Sequence, residues 1–368
     1  MYLEKYNDGF RVFCEKTLKS IKHRKTGFVK NKTEAKLFEA EFIAELSKGK
    51  KNPTMRLDFY GQSYIDNLDG LEQRTIDSYQ CAFNRIKPHI KDKLNTFDND
   101  QWICIYNKLK NKNLAPRSIK HTFRIMNMIC NQAELVFGIQ MGHGTFKRTV
   151  KLQVNNIDPP KALGLDQQKH LINYLARSKE DNEITYQTYI FCLIGLYTGM
   201  RTGEIGALTW NDIDLFNKTI NVSKAISKSS KGEIIKAPKT KNSIRNISIH
   251  DIVVKELTVY KKHLDSIGIV HHLSSWLFIN LNNINMHTPI TVWSKRVPKV
   301  MHKIGINGFS AHSLRHTHAS NLLMNDCPLI QVAHRLGHKD ASITLKVYAH
   351  FVKELTVDFD KYMPKIHA

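Results

Sequence analysis

The chain has 368 residues, 42% of them hydrophobic, so it is too long for one typical domain and apolar enough to build two or three cores. The 55 Lys and Arg against 33 Asp and Glu leave a net charge of +22, an excess that favours polyanionic partners through counterion release and steering. No apolar run approaches the ~20 residues of a spanning helix, and the opening MYLEKYNDGF lacks the apolar core of a signal peptide, so nucleic acid fits better than a membrane. Six cysteines (Cys14, Cys81, Cys104, Cys130, Cys192 and Cys327) lie far apart with no CxxC pair. That pattern predicts reduced thiols in a cytosolic protein.

Residues 1 to 50 read as a small unit. Phe10, Val12 and Cys14 alternate with polar residues as in a half-buried strand. A basic segment follows, with Lys16, Lys19, Lys22, Arg24, Lys25, Lys30 and Lys32 and no acid among them. Asn31 and Glu34 then stand at capping-box spacing before a helix whose face is Ala35, Phe38, Phe42, Ile43 and Leu46. Ser47 to Pro53, SKGKKNP, reads as a linker.

Residues 54 to 140 read as helical. Ile76, Tyr79, Phe83, Ile86 and Ile90 repeat at helical spacing after Thr75, a candidate N-cap. Trp102, Ile105, Tyr106 and Leu109 mark a second helix, and Pro116 sits where a first-turn proline belongs, before Ile119, Phe123, Met126, Ile129 and Ala133. These aromatic and methionine stripes are core and not a cofactor box. The stretch 141 to 161 is rich in glycine, proline and basic residues and reads as an interdomain linker. From 162 to 368 the pattern is mixed. Strand-like stretches run from Thr219 to Ile226, Glu233 to Pro238 and Ile244 to His250, with helical runs at Tyr189 to Tyr197 and Pro289 to Ile304. The tail after Phe351 fits a half-buried strand through Leu355, Val357 and Phe359, and nearly as well a helix face through Phe351, Leu355, Phe359 and Tyr362.

From His312 the chain reads HSLRHTHAS, then RLGHKDASITLKVYAH, with Tyr348 ten residues past His338. Upstream stand TGMRTGE around Arg201 and PKTKNSIR around Lys239. In their order and spacing these motifs resemble the tyrosine recombinases, the phage-integrase family, most specifically between Leu163 and Phe351 and more weakly over the whole chain. The resemblance implies a multidomain α+β protein. Residues 1 to 50 would be an arm-type DNA-binding domain of one β-sheet and a helix, and residues 54 to 140 an all-α core-binding domain. Residues 162 to 368 would be a mainly-α catalytic domain with a small antiparallel sheet.

The resemblance further implies cutting and rejoining of DNA through a covalent 3′-phosphotyrosine, without metal, ATP or other cofactor. Arg201 and Arg315 would hold the dianionic transition state, since a guanidinium stays charged and binds two phosphate oxygens at once. Tyr348 would be the nucleophile, His312 would take up or relay its proton, and His338 would hydrogen-bond a non-bridging oxygen. Lys239, in the PKTKNS turn between two strands, would protonate the leaving 5′ oxygen, with Lys236 or Lys241 as the other candidate amines. Glu204 would orient an arginine or histidine. The residues expected to touch DNA are Lys22, Arg24, Lys25 and Lys30, then Arg117 and Lys120 in LAPRSIKHT, and Lys241. The partners implied are double-stranded DNA at core and arm sites, three further copies in a tetramer on DNA, an excisionase and a DNA-bending protein, all in a prokaryotic cytoplasm at the nucleoid.

Taken singly, these residues have plainer readings: a capping arginine, a basic hairpin, a core phenol among 13 tyrosines. A zinc site at His312, His316 and His318 lacks the glutamate of HExxH and would sit against Arg315. A chromosome-dimer resolvase of the same family would begin with the helical domain, without the basic unit at residues 1 to 50. A non-catalytic DNA-binding regulator would be expected to lose Arg201, Arg315 or Tyr348. A metal-dependent nuclease would need a carboxylate cluster.

Overall fold

The computed structural model describes residues 2–6, 9–18, 21–31, 33–36, 38–39, 55–141, 161–237, 244–269, 272–338, 340–342, 344–345 and 348. The chain divides into two compact units, Met1–Ile157 and Asp158–Ala368. The first unit holds two separate apolar clusters, one under an N-terminal sheet and one among helices.

The N-terminal sheet is antiparallel, with β1 (Tyr2–Tyr6), β2 (Gly9–Leu18) and β3 (Ile21–Val29) in sequence order. The alternation on β2 sends Val12 and Cys14 inward, where Ala35 and Phe38 of the following helical residues close over them. Asn31 Oδ1 accepts from the Glu34 amide at 2.8 Å, and Glu34 Oε2 accepts from the Lys30 amide at 2.8 Å. The box is thus reciprocal but reaches one residue further back than Asn31. Phe42, Ile43, Leu46 and the SKGKKNP linker lie outside the described residues.

Four helices follow: α1 (Leu57–Asp66), α2 (Gln73–Ile86), α3 (Asn99–Asn111) and α4 (Pro116–Phe137). Helix α2 starts from Glu72, not Thr75. Thr75 is already helical, its amide donating to Glu72 O at 2.8 Å. A threonine cap is worth only about 1 kcal/mol, which one more turn of helix outweighs. Asp98 and Gln101 form a reciprocal capping box for α3, and Pro116 is the first residue of α4. Phe83, Trp102, Phe123, Met126 and Ile129 fill the core between them, and the Trp102 indole N–H donates to Met141 O at 2.7 Å. Residues 142–160, most of the expected linker, lie outside the described residues.

The second unit is arranged around α6 (Glu183–Thr198), which follows α5 (Leu165–Ser178). Helix α6 is buried on nearly every side, which is why ITYQTYIFCLIGLYT shows no polar face. The short α7 (Thr202–Gly206) leads into a sheet of β4 (Ile213–Asp214), β5 (Thr219–Val222) and β8 (Arg245–Ser248). A separate hairpin is made of β6 (Ala225–Ser229) and β7 (Gly232–Lys236). The expected strand from Thr219 to Ile226 is therefore two strands in two sheets. The strands flanking Lys239 do not pair with each other, because β7 pairs with β6 and β8 with β5. Then come α8 (Asp251–Ser266), the strand pair β9 (Ile279–Asn280) and β10 (Asn283–His287), and α9 (Ile290–Lys303). Helices α10 (Ala311–Met324) and α11 (Leu329–Leu336) end this series. Among the described residues no helix is long and apolar enough to cross a membrane.

Candidate active site

Two glycines set the site. Gly199 ends α6 and Gly337 ends α11, both left-handed at φ 65° and 71°, a conformation that costs a residue with a Cβ about 1–2 kcal/mol. A Cβ at Gly199 would also lie 2.5 Å from the His318 ring, and one at Gly337 3.0 Å from Arg245. Each glycine offers its carbonyl to an arginine from elsewhere in the unit. Arg315 Nη1 donates to Gly199 O at 2.8 Å, and Arg201 Nη2 donates to Gly337 O at 3.2 Å. These bonds join the ends of α6 and α11 to the guanidinium groups across 116 and 136 residues of chain.

Glu204 lies between Arg201 and a third arginine, Arg245. Its carboxylate accepts from Arg201 Nη1 at 2.7 Å and from Arg245 Nη2 at 3.0 Å, and it also caps the Arg201 amide at 2.9 Å. Burial works against its ionisation, but the hydrogen bond and charge of Arg245, then Arg201, hold the carboxyl below its ordinary range. Arg245 is the R of PKTKNSIR and was not singled out in the sequence. It is 7% exposed and donates from Nε to Arg335 O at 2.8 Å. Among the described residues no carboxylate lies within ion-pairing distance of Arg315, and the ion pairs seen for Arg201 and Arg245 both go to Glu204.

Helix α10 carries His312, Arg315 and His316 at i, i+3 and i+4, one face of the helix. The rings of His312 and His316 meet edge to face with centroids 4.8 Å apart. His338 follows Gly337, with Nε2 at 2.7 Å from Arg315 Nη2 and Nδ1 at 2.7 Å from Thr344 Oγ1. Tyr348 is 2% exposed in a cluster with Ala319, Leu323, Val332 and Leu336. Its hydroxyl lies 2.7 Å from His316 Nδ1, so the histidine against the phenol is His316 and not the expected His312. Both stand on the same face one turn apart, and sequence spacing cannot tell which turn the phenol will reach. Burial pushes the Tyr348 phenol up to about 12, with Arg315 pulling the other way. Burial, His312 and Arg315 push His316 down to about 4. The proton therefore stays on the phenol in this arrangement, and His316 accepts.

His318 turns away from the other two histidines, its Nδ1 at 2.8 Å from Leu196 O and its Nε2 accepting from Arg335 Nε at 3.0 Å. Burial and Arg335 push it down to about 4, against an ordinary value near ~6.5. Above pH ~6.5 both folded and unfolded chains leave this ring neutral and its contribution to stability is complete. Between ~6.5 and about 4 the unfolded chain binds more protons, so stability falls with pH, and below about 4 the loss is full. For this one ring the loss is at most about 3 kcal/mol. His316 and His338 act in the same direction. The urea midpoint of the full chain should thus decline steadily from pH 7 to 4.5. A flat midpoint over that window would contradict neutral burial of these rings.

The expected DNA contacts distribute unevenly. Arg24 stands on the outer face of the N-terminal sheet, ion-paired to Glu15. Lys25 lies on the inner side with Nζ 5.1 Å from the Phe38 ring centroid. Lys30 is exposed, and of Lys22 only the backbone is described. Arg117 and Lys120 are both exposed on the first turns of α4. Lys239, Lys241 and the tail from Phe351 lie outside the described residues.

The profile of the phage integrase family matches residues 161–354. The ICEBs1 integrase of Bacillus subtilis is 29% identical over 164 residues, a match that spans 44% of this chain and 44% of that protein. An integrase of Staphylococcus phage L54a is 25% identical over 355 residues, covering 84% of this chain and 99% of that protein. In fold, the chain is similar to the Tn1549 transposon integrase solved with transposon right end DNA. That likeness has a TM-score of 0.66 at 17% identity and covers 84% of this chain and 97% of that one.

Proposed function

The chain belongs to the phage integrase family, and from that premise we propose that it is a site-specific DNA recombinase that integrates and excises a mobile element. What carries the reading is that Arg201, Arg315 and His338 are bound together through Glu204, Gly199, Gly337 and Thr344, while Tyr348 meets His316, one residue past Arg315. Three guanidinium groups with Glu204 between two of them suit a phosphorane that carries two negative charges. Tyr348 would attack the scissile phosphate, and the Arg pair and His338 would hold its oxygens. The ester so formed keeps the bond energy for rejoining to another strand, one hard displacement becoming two easier ones. His316 stands where the phenol proton would first be passed. Nothing in this scheme needs a metal or nucleotide.

Residues 54 to 140 and 162 to 368 would grip the core site from the helical and catalytic domains, and residues 1 to 50 would bind arm sites. The exposed Arg24, Lys30, Arg117 and Lys120 support those roles. Exchange of four strands calls for a tetramer on two duplexes, with an excisionase and a bending protein setting direction, in the cytoplasm of a prokaryotic host.

The test is a nicked duplex from the junction between the encoding element and its chromosomal flank, scored for a covalent protein–DNA band. Lys239→Ala should slow cleavage of ordinary DNA by at least about 100-fold, the usual weight of a general acid. It should leave cleavage nearly unchanged where the leaving group is a 5′-bridging thiolate, which needs no proton. Equal slowing of both substrates would exclude Lys239 and move the test to Lys241.

A further inference from the structure

Thr344 is a member of the site with no role in the scheme above. It is fully buried four residues before Tyr348, and its hydroxyl lies 2.7 Å from His338 Nδ1. The other ring nitrogen, Nε2, lies 2.7 Å from Arg315 Nη2. A guanidinium has only donors, so Nε2 must present its lone pair to Arg315. The ring proton is then on Nδ1 and is donated to Thr344 Oγ1. In this tautomer Nε2 has no hydrogen to give to a phosphate oxygen, which is the task assigned to His338.

We propose that Thr344 is a positioning residue for strand cleavage, whose hydroxyl accepts from His338 Nδ1–H in the free protein and donates to Nδ1 once a phosphate occupies Arg315, leaving Nε2–H for a phosphate oxygen. The exchange balances: Nδ1 releases one proton to solvent, Nε2 takes one up, and the imidazole stays neutral. A hydroxyl serves both states because it both donates and accepts. The alternative route, a doubly protonated ring, is disfavoured by the surroundings. Burial, with Arg315, Arg201, Arg245 and His312 close by, pushes His338 down to about 4. Residues 344, 345 and 348 are all helical, so the same hydrogen bond also ties the phosphate-reading imidazole to the segment that carries the nucleophile. The inference rests on His338 being a phosphate ligand.

The direct measurement uses full-length Tyr348→Phe protein with 15N-labelled histidine, in which His338 is identified by its loss in an added His338→Gln change. Its ring should be protonated on Nδ1 in the free protein and on Nε2 with the element–chromosome junction duplex bound. A ring that stays protonated on Nδ1, or becomes doubly protonated, overturns the proposal. Single-turnover cleavage of the nicked duplex supplies the second test. Thr344→Val keeps the shape but leaves Nδ1 of the engaged ring without a donor, and should slow cleavage about ten-fold or more at unchanged DNA affinity. Thr344→Ser restores the hydroxyl and should return the rate to within about three-fold of the parent. If Thr344→Val cleaves at the parent rate while His338→Gln is slowed, the hydroxyl has no part. If His338→Gln also cleaves at the parent rate, the assignment of His338 itself falls. Should the valine variant not fold, the ring measurement and the serine variant still decide.

Discussion

Tyr348→Phe should form no covalent adduct with the nicked duplex while binding it with nearly unchanged affinity. The change removes one oxygen from a phenol that is 2% exposed, so the ring keeps its packing against Leu323, Val332 and Leu336. What is lost in the free protein is the hydrogen bond to His316 Nδ1; an acceptor left without its donor costs about 1–3 kcal/mol when fully buried, and less at the half-buried His316. The variant should therefore be somewhat less stable, an effect separable from its chemistry by urea unfolding. A covalent band that persisted would exclude Tyr348 as nucleophile and turn attention to Tyr362 and Tyr197. The 2.7 Å contact with His316 also predicts a phenol that stays protonated until DNA rearranges its surroundings. Free protein should accordingly show no tyrosinate absorbance from this ring at pH 9.

Glu204→Ala should be the most destabilising single change in the catalytic unit. The carboxylate is 3% exposed and its partner Arg245 is 7% exposed. Removing one member of a buried pair strands the other charge and typically costs about 3–5 kcal/mol. Arg245 would keep its bond to Arg335 O but lose its ion pair with Glu204, and Arg201 would lose the contact that fixes its direction. Cleavage should fall with stability, and at urea concentrations where the variant is still folded it should remain low because Arg201 is no longer aimed. Glu204→Gln, which keeps two polar atoms in place, should recover part of the stability and less of the cleavage. The parent's stability should also drop as pH falls below the usual glutamate range. Above it both folded and unfolded chains leave this carboxyl ionised and its contribution is complete; below it the unfolded chain takes up the proton before the folded one does, so the contribution is progressively lost. An alanine variant as stable as the parent would show that Arg245 is reached by water or another acid.

The motifs that point to the chemistry are local ones, and local physics explains why they are legible. Gly199 and Gly337 follow helices and must turn left-handed, so TGMR and LGH announce both a helix end and the residue beyond it. His312 and Arg315 share a helix face because they are three apart. Val12 and Cys14 alternate, and Trp102, Ile105 and Leu109 repeat, because each element has one wet side and one dry side. Where that asymmetry ends, so does legibility. Helix α6 is buried all round and α10 nearly so, and neither carries a stripe that says which side meets what.

By itself, then, the sequence determined the family, the most strongly patterned of the helical and β segments, and Arg201, Arg315, His338 and Tyr348 as candidates for the chemistry. Only the tertiary structure decided how they meet. It put His316 and not His312 against the phenol, brought Arg245 to Glu204 across 41 residues, set Thr344 behind His338, and divided the stretch from Thr219 to Ile226 between two sheets. The physical reason is the same in each case. A hydrogen-bond donor does not encode its acceptor's position in its own neighbourhood, and the choice between two turns of one helix, or between two strands of similar pattern, is made by close packing of distant segments around α6.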